Sequence, residues 1–397
     1  MKGVRSAGPV AAALMVVATV AAGAAEPYQI PAIMSLTGQG AFVSKGEQQS
    51  LELAKKLVNE SGGINGRPLE FTYQDDQTNP QVAVQLANDV LAQKPAILIG
   101  GAIVATCRAI APLIKNGPAD YCLSPGLHPD PGSYVFSSSV STLDLATALV
   151  RYFHDRGWTR IALMFSSDAT GQDAEAGLKS VLAKPENKDM TIVTTAHFNV
   201  TDVSVAAQLE SVKAANPQCF IAWSTGTPIA TIFRGMRDQG LDIPIGTTDG
   251  NMTYAQMKQY ADFLPRQLYI AAAQWVVRDD KLLLPEVAKQ HDAFYQAYDA
   301  VGAKPDIASE LGWDPAFILV QALRSLGPDA APAAIRDHIG KLQNYAGVNG
   351  VYDFVKVPQR GLDVSDAVVT RWSPEAKTWQ VVSKPTGIPL PSAPDTP

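Results

Sequence analysis

Cysteine and histidine are scarce in this chain of 397 residues. There are three cysteines, at positions 107, 122 and 219, and five histidines, at 128, 154, 197, 291 and 338. No two of them stand at the short spacings that hold zinc, so a zinc site is excluded and no metal is expected. Positive charge is also scarce: 32 Lys and Arg stand against 38 Asp and Glu, a net charge of −6. No basic run stands out, which excludes a nucleic-acid footprint. Beyond the first 25 residues no apolar run is long enough to span a bilayer. The sequence has no G-x-S-x-G, no H-E-x-x-H, no G-x-x-x-x-G-K-[ST], and no G-x-G-x-x-G after a strand. An enzyme with one of those mechanisms is thereby disfavoured, and no cofactor is expected.

What is present begins with an export signal. Lys2 and Arg5 give a positive start, residues 10–20 are apolar, and small residues surround Ala24 and Ala25. This is the pattern of a secretory signal peptide over residues 1–25, with cleavage near Ala24 or Ala25. A membrane anchor is the competing reading, and the stretch is short for one. No cysteine lies near the cleavage point, which argues against a lipoprotein. Loss of Lys2 and Arg5 leaves 30 basic and 38 acidic residues, a charge of −8. The expected product is an exported protein, with 46% hydrophobic residues available for large cores.

The rest of the chain alternates between strand and helix patterns. Apolar runs at 28–36, 69–74, 96–99, 119–123 and 134–137 predict five strands, with helical periodicity between them. A second series has strands at 160–165, 191–197, 218–223, 243–247 and 267–273. Beyond residue 275 the pattern is helical, and short strands return at 350–354, 367–372 and 379–382. Alternation of this kind predicts parallel sheets covered by helices on both faces. The tail, residues 384–397, is Pro-rich and reads as disordered. The pair Asp75-Asp76 lacks the glycine and distal glutamate of a calcium loop and reads as a turn.

The segment 96–128 reads as one βαβ unit. A strand ends in Gly100-Gly101, a helix carries Cys107, Ile110, Ala111 and Ile114 on one face, and a second strand ends in Ser124-Pro125-Gly126. Ligands of open α/β sheets lie beyond the carboxyl ends of the strands, so this segment is half of a binding cleft. The helix start and the end of the second strand are neighbours in such a unit. A Cys107–Cys122 disulfide is therefore expected, leaving Cys219 as a buried free thiol.

Three stretches, taken as an ordered set, carry a resemblance. They are Ile33-Met34-Ser35-Leu36-Thr37-Gly38, then Gly62-Gly63-Ile64-Asn65-Gly66-Arg67-Pro68-Leu69, then Asp75-Asp76-Gln77-Thr78-Asn79-Pro80. The chain resembles the periplasmic substrate-binding proteins of branched-chain amino-acid ABC transporters. The likeness continues through Asp168-Ala169-Thr170-Gly171 and residues 347–354, over nearly the whole mature chain. It implies a type I periplasmic-binding fold, in which two Rossmann-like lobes joined by three crossings close on a ligand. Lobe 1 would be 27–140 plus 275–348, and lobe 2 would be 141–272 plus 350–383. The implied function is capture of a small ligand by a monomer that delivers it to a membrane ABC permease. A ligand-sensing receptor subunit of the same fold is the alternative, and an enzyme is a weaker one.

The family's ligand positions carry over residue by residue. Phe42 would fill an aromatic place after the first strand. Val104, with Ala105 and Thr106, stands where a carboxylate-holding Ser is usual. Ser124, Gly126 and His128 belong to the loop after the fourth strand. Thr170 replaces a lobe-2 Tyr, and Gly226 replaces a second aromatic. Asp249 falls where an acid pairs with an ammonium group, although a turn-capping role through Gly250-Asn251 competes. Lys45, Arg108 and His128 would suit a carboxylate, with solvated side chains as the alternative. Trp223 would stack on a ligand or pack in the core. The ligand class therefore stays open between an amino acid and another small organic acid, aromatic acids included.

Overall fold

The computed structural model describes residues 1, 3 and 25–391. The expected signal peptide and its cleavage point lie almost wholly outside the described residues. The first half runs β1 (Tyr28–Met34), α1 (Ala41–Glu60), β2 (Leu69–Asp75), α2 (Pro80–Ala92), β3 (Ile97–Gly100), α3 (Val104–Ile110), β4 (Ala119–Cys122) and β5 (Val135–Ser137). The second runs α4 (Thr142–Asp155), β6 (Arg160–Ser166), α5 (Ala169–Leu182), β7 (Thr191–Phe198), α6 (Ala206–Ala214), β8 (Cys219–Trp223), α7 (Ile229–Asp238), β9 (Ile245–Thr247), α8 (Tyr254–Gln259) and β10 (Leu268–Ala273). Three helices follow: α9 (Pro285–Asp299), α10 (Ile307–Leu326) and α11 (Pro332–Ile339). The strands β11 (Tyr345–Ala346), β12 (Val351–Tyr352), β13 (Ala367–Ser373) and β14 (Thr378–Val381) complete the order.

Two sheets result. The first has the order β2-β1-β3-β4-β5 and is parallel throughout. The second has the order β14-β13-β10-β9-β8-β6-β7, parallel from β10 to β7, with β13 and β14 antiparallel at one edge. The central strands β3 and β8 are buried at every position, as unbroken apolar runs between two helical layers require. Edge strand β7 instead shows polar residues to solvent along most of its length.

Local rules place the helices. Asn79 caps α2, its side chain accepting from the amides of Gln81 and Val82, with Pro80 at the first helical position. Asp75 and Asp76 bind neighbouring amides and hydroxyls, so that pair is a turn. Helix α3 is shorter than the apolar spacing predicts. It ends at Ile110 and passes into a 3₁₀ turn at Ala111–Leu113, because Pro112 lacks an amide to continue the ladder. Cys107, Ile110 and Ile114 are nonetheless buried together. Helix α10 is buried almost all round and packs on α1, where Gly312 and Gly46 allow close approach.

Two expectations need correction. Residues 351–361 pack with the first sheet: Phe354 lies edge-on to Phe136 and flat against Tyr352, and the Gln359 side chain binds Gly132 and Ser133. The chain returns to the second sheet only at β13. The start of the tail is also ordered. Lys384 and Leu390 donate to Ile388 and Val382, and Gly387 sits against the backbone of Ala148. Those contacts supply the hydrogen bonds that a disordered tail would leave to water. Residues 392–397 lie outside the described residues.

Candidate ligand-binding cleft

The carboxyl ends of both sheets face one cavity. Ala102 and Val104 follow β3, Ser124 to Gly126 follow β4, Trp223 ends β8 with Thr225 after it, and Thr248 to Gly250 follow β9. Helices α4, α5 and α10 add Thr142, Thr170 with Asp173, and Leu311. The cavity offers about 30 Å³ of free volume, little more than the space of one water. Among the described residues no lysine, arginine or histidine lines it.

Of the residues singled out in the sequence, Val104, Ser124, Gly126, Thr170 and Asp249 meet there. The others do not line it. Phe42 packs edge-on against Tyr260, with ring centroids 6.4 Å apart, and so joins the two sides of the cleft beside the cavity. Gly226 lies on the same boundary; its φ is +86°, and a Cβ there would run into the carbonyl of Gln39. Thr106 is buried and turns its hydroxyl back to the Ile103 carbonyl at 3.0 Å. Ala105 is half-buried on α3 outside the cavity lining. Lys45 is exposed. Arg108 and His128 do not line the cavity, and both bind Asp173 at its edge: Arg108 at 3.2 Å and His128 at 3.0 Å. Trp223 is 2% exposed and forms part of the cavity wall, so it both packs and lines.

Asp249 and Asp173 are the two acids that line the cavity. One oxygen of Asp249 accepts from the Thr248 hydroxyl and the Gly250 amide, both at 2.9 Å. The other is buried and unpartnered, as is the hydroxyl oxygen of Ser124. The turn-capping contacts thus fall on one oxygen of the carboxylate, and the other has no partner among the described residues. Burial is the main cause that pushes its pKa up to about 6, against the pull of the Thr248 and Gly250 bonds. Glu310 lies close behind. It accepts from Ser139 at 3.0 Å and Asn349 at 2.6 Å, and burial, with the nearby Asp249 charge, holds its pKa well above the usual range.

Arg360 is the residue that sequence reasoning missed most completely. It is buried, and its guanidinium donates to the carbonyls of Ser138, Ser139, Pro125 and Leu127. It thereby ties the loop after β4 to the connection between the sheets. Asp173 was also missed, although its spacing of three from Thr170 places both on one face of α5.

Cys107 and Cys122 form a disulfide, with Cα atoms 6.2 Å apart, and Cys219 is a buried free thiol. The histidines each have a separate partner, and among the described residues no three His, Cys, Asp or Glu are grouped to hold a metal. Among the described residues no helix is long and apolar enough to cross a membrane.

Two α/β units whose strand ends face one another across a lined cavity define a two-lobed binding protein. The chain belongs to the periplasmic binding protein family, whose model matches residues 27–377. It is similar to the Leu/Ile/Val-binding protein homolog 1 of Brucella suis biovar 1 (strain 1330), 27% identical over 227 residues. That match covers 54% of this chain and spans 58% of the length of that relative. In fold it is similar to a type 1 periplasmic binding protein from Bordetella pertussis Tohama I, with TM-score 0.78 and 22% identity, covering 90% of this chain and 99% of that one. It is also similar to the branched-chain amino acid transporter substrate-binding protein LivJ from Streptococcus pneumoniae, solved with isoleucine. There the TM-score is 0.75 and the identity 17%, over 90% of this chain and 99% of that one.

Proposed function

We propose that this chain is an exported solute-binding protein that closes two lobes on a small ligand carrying an ammonium group and passes it to a membrane ABC permease. One observation carries the reading: an unpartnered buried oxygen of Asp249 lies in a cavity that no cation lines among the described residues. A buried carboxylate oxygen without a donor is costly, and a ligand ammonium would satisfy it. Ser124, Thr142, Thr170 and Thr225 line the same cavity, whereas the Thr248 hydroxyl donates to Asp249. Those four would serve the ligand's own carboxylate in place of the Ser absent at Val104. An amino acid therefore suits the lining better than an aromatic acid or a dicarboxylate, which would bring negative charge to Asp249 without compensation. The branched-chain ligands of the relatives support the same class.

The lobes in this reading are 27–140 with 275–361, and 141–272 with 367–390. The cavity as it stands has room for little more than one water, so ligand entry requires opening about the crossings near 140, 274 and 362–366. Isothermal titration against matched pairs tests the ligand class: an amino acid, its deaminated acid and its decarboxylated amine. The amino acid is expected to bind at least tenfold more tightly than the deaminated acid. Tighter binding of the deaminated acid would overturn the proposal. Uptake of the best ligand by cells with and without the gene separates transport from sensing.

A further inference from the structure

A second recess lies on the outer side of the β4 loop, behind the wall of the ligand cavity. It encloses about 500 Å³, the size of a small-molecule site. Arg108, Lys115, His128 and Arg336 line it, and Asp130 is its single acid. Arg336 is half-buried, held over the ring of Tyr134 4.5 Å from its centroid, and donates from Nε and Nη2 to Asp337 Oδ1 at 2.8 and 2.6 Å. Lys115 has no ion-pair partner among the described residues. Arg108 and His128 serve two places at once, since they line this recess and also bind Asp173 from the opposite side of the cleft.

We propose that this recess is a second binding site, for a small di- or tricarboxylate anion, and that its occupant competes with Asp173 for Arg108 and His128. Cationic side chains from two helices converge on it, Arg108 on α3 and Arg336 on α11, joined by Lys115 and by the hydrogen-bonding imidazole of His128 on the β4 loop; Arg108 and Arg336 also hold the carboxylates of Asp173 and Asp337. Guanidinium groups bind carboxylates in a planar, two-pronged geometry, and several such contacts favour a multivalent anion over a single charge. The coupling follows from shared donors. Asp173 engages them only when the lobes meet, so an anion that takes Arg108 and His128 favours the open arrangement, and opening favours the anion to the same degree. The coupling rests on the two-lobed closure proposed above; the anion site itself does not.

The test is titration of citrate into the full mature chain at fixed ionic strength, with sodium chloride as the control. Citrate is expected to bind one to one. The double variant Lys115→Ala/Arg336→Ala is expected to weaken it at least tenfold while the thermal midpoint is unchanged. Asp173→Asn is expected to tighten it at least threefold by removing the competitor. Heat no greater than that of matched sodium chloride overturns the site. Citrate binding that survives the double variant overturns it as well, because it places the anion elsewhere. Unchanged affinity in Asp173→Asn overturns the competition. None of these readouts uses the ligand of the main cleft, so failure here and failure of that reading remain distinct.

Discussion

His128 and Asp173 meet across the cleft with Nε2 and Oδ1 3.0 Å apart, one from the loop after β4 and the other from α5 of the facing sheet unit. Arg108 reaches the same carboxylate at 3.2 Å. The Asp173 side chain is 10% exposed, whereas Arg108 and His128 are 41% and 46% exposed. Such a clasp contributes only when the lobes are together. Asp173→Asn is expected to weaken ligand binding about fivefold, close to 1 kcal/mol for a partly exposed pair, and to act mainly on the release rate. Stopped-flow dissociation at 50 mM and 500 mM salt checks this. The native protein should lose affinity with salt and the variant should not. A variant with native release kinetics at both salts would remove the clasp from the closure equilibrium.

Much of the fold was readable because its cause is local. The runs 97–100 and 219–223 are continuous and apolar because both faces of a parallel sheet are covered, and they appear as β3 and β8. The cap at Asn79 was readable for the same reason. The cleft was legible where strand ends supply it, at Val104, Ser124, Gly126 and Asp249. It was not legible where the partner is distant in sequence. Arg360 binds carbonyls more than 220 residues away, and nothing near it in the chain marks that role. His128 and Arg108 look like residues of the main cleft in the sequence because it does not show that Asp173 reaches them and that they lie outside the cavity lining. The packing of residues 351–361 was not legible because the run 350–354 reads only as a short strand, while Phe354 packs on Phe136 of the first sheet.

Asp249 should set both ligand affinity and a stability penalty. Its folded-state pKa is raised from 3.8 to about 6 by burial. The folded chain therefore holds the proton more tightly than the unfolded chain. The resulting stability is fully present below pH 3.8 and is lost as pH rises through about 6, by about 3 kcal/mol at most. Asp249→Asn removes this pH-dependent loss. The ligand-free variant is expected to melt higher than the native protein at pH 8, with the difference gone near pH 4. An ammonium ligand needs the ionised carboxylate, so its affinity for the native protein should fall about tenfold per unit below pH 6. In the variant that affinity should be at least tenfold weaker at pH 7.5. Scanning calorimetry and titration at several pH values check both signs, and undiminished affinity of Asp249→Asn for an amino acid would exclude Asp249 from the site.

The Cys107–Cys122 bond closes a loop with a sequence separation of 15 beneath the cleft. Restricting the unfolded chain over such a loop stabilises the native state by about 3 kcal/mol. The variant Cys107→Ala/Cys122→Ala is expected to melt roughly 5–10 °C lower. Thiol counting gives an independent check. Burial pushes the Cys219 thiol far above its ordinary range, so the native protein should show no reactive thiol. Denaturation without reductant should reveal one, and denaturation with reductant three. Two or more reactive thiols in the native oxidised protein would refute the bond.

Arg360 should matter to both stability and binding without touching the ligand. Its four donated hydrogen bonds hold Pro125 and Leu127 on one side and Ser138 and Ser139 on the other. Burial lowers its pKa to about 10, which leaves it charged at neutral pH. Truncation strands four carbonyls in a dry interior and frees the loop that carries Ser124 and Gly126. Arg360→Ala is therefore expected to destabilise the fold by about 3–5 kcal/mol. Arg360→Lys keeps the charge but cannot span four acceptors in one plane, so it should recover less than half of that loss. Because the loop is held from behind, the Lys variant should also bind ligand more weakly at a temperature where it is fully folded. Titration of Arg360→Lys well below its melting point separates the two effects: native affinity there would confine Arg360 to stability alone, whereas a several-fold loss would show that it positions the wall of the cleft.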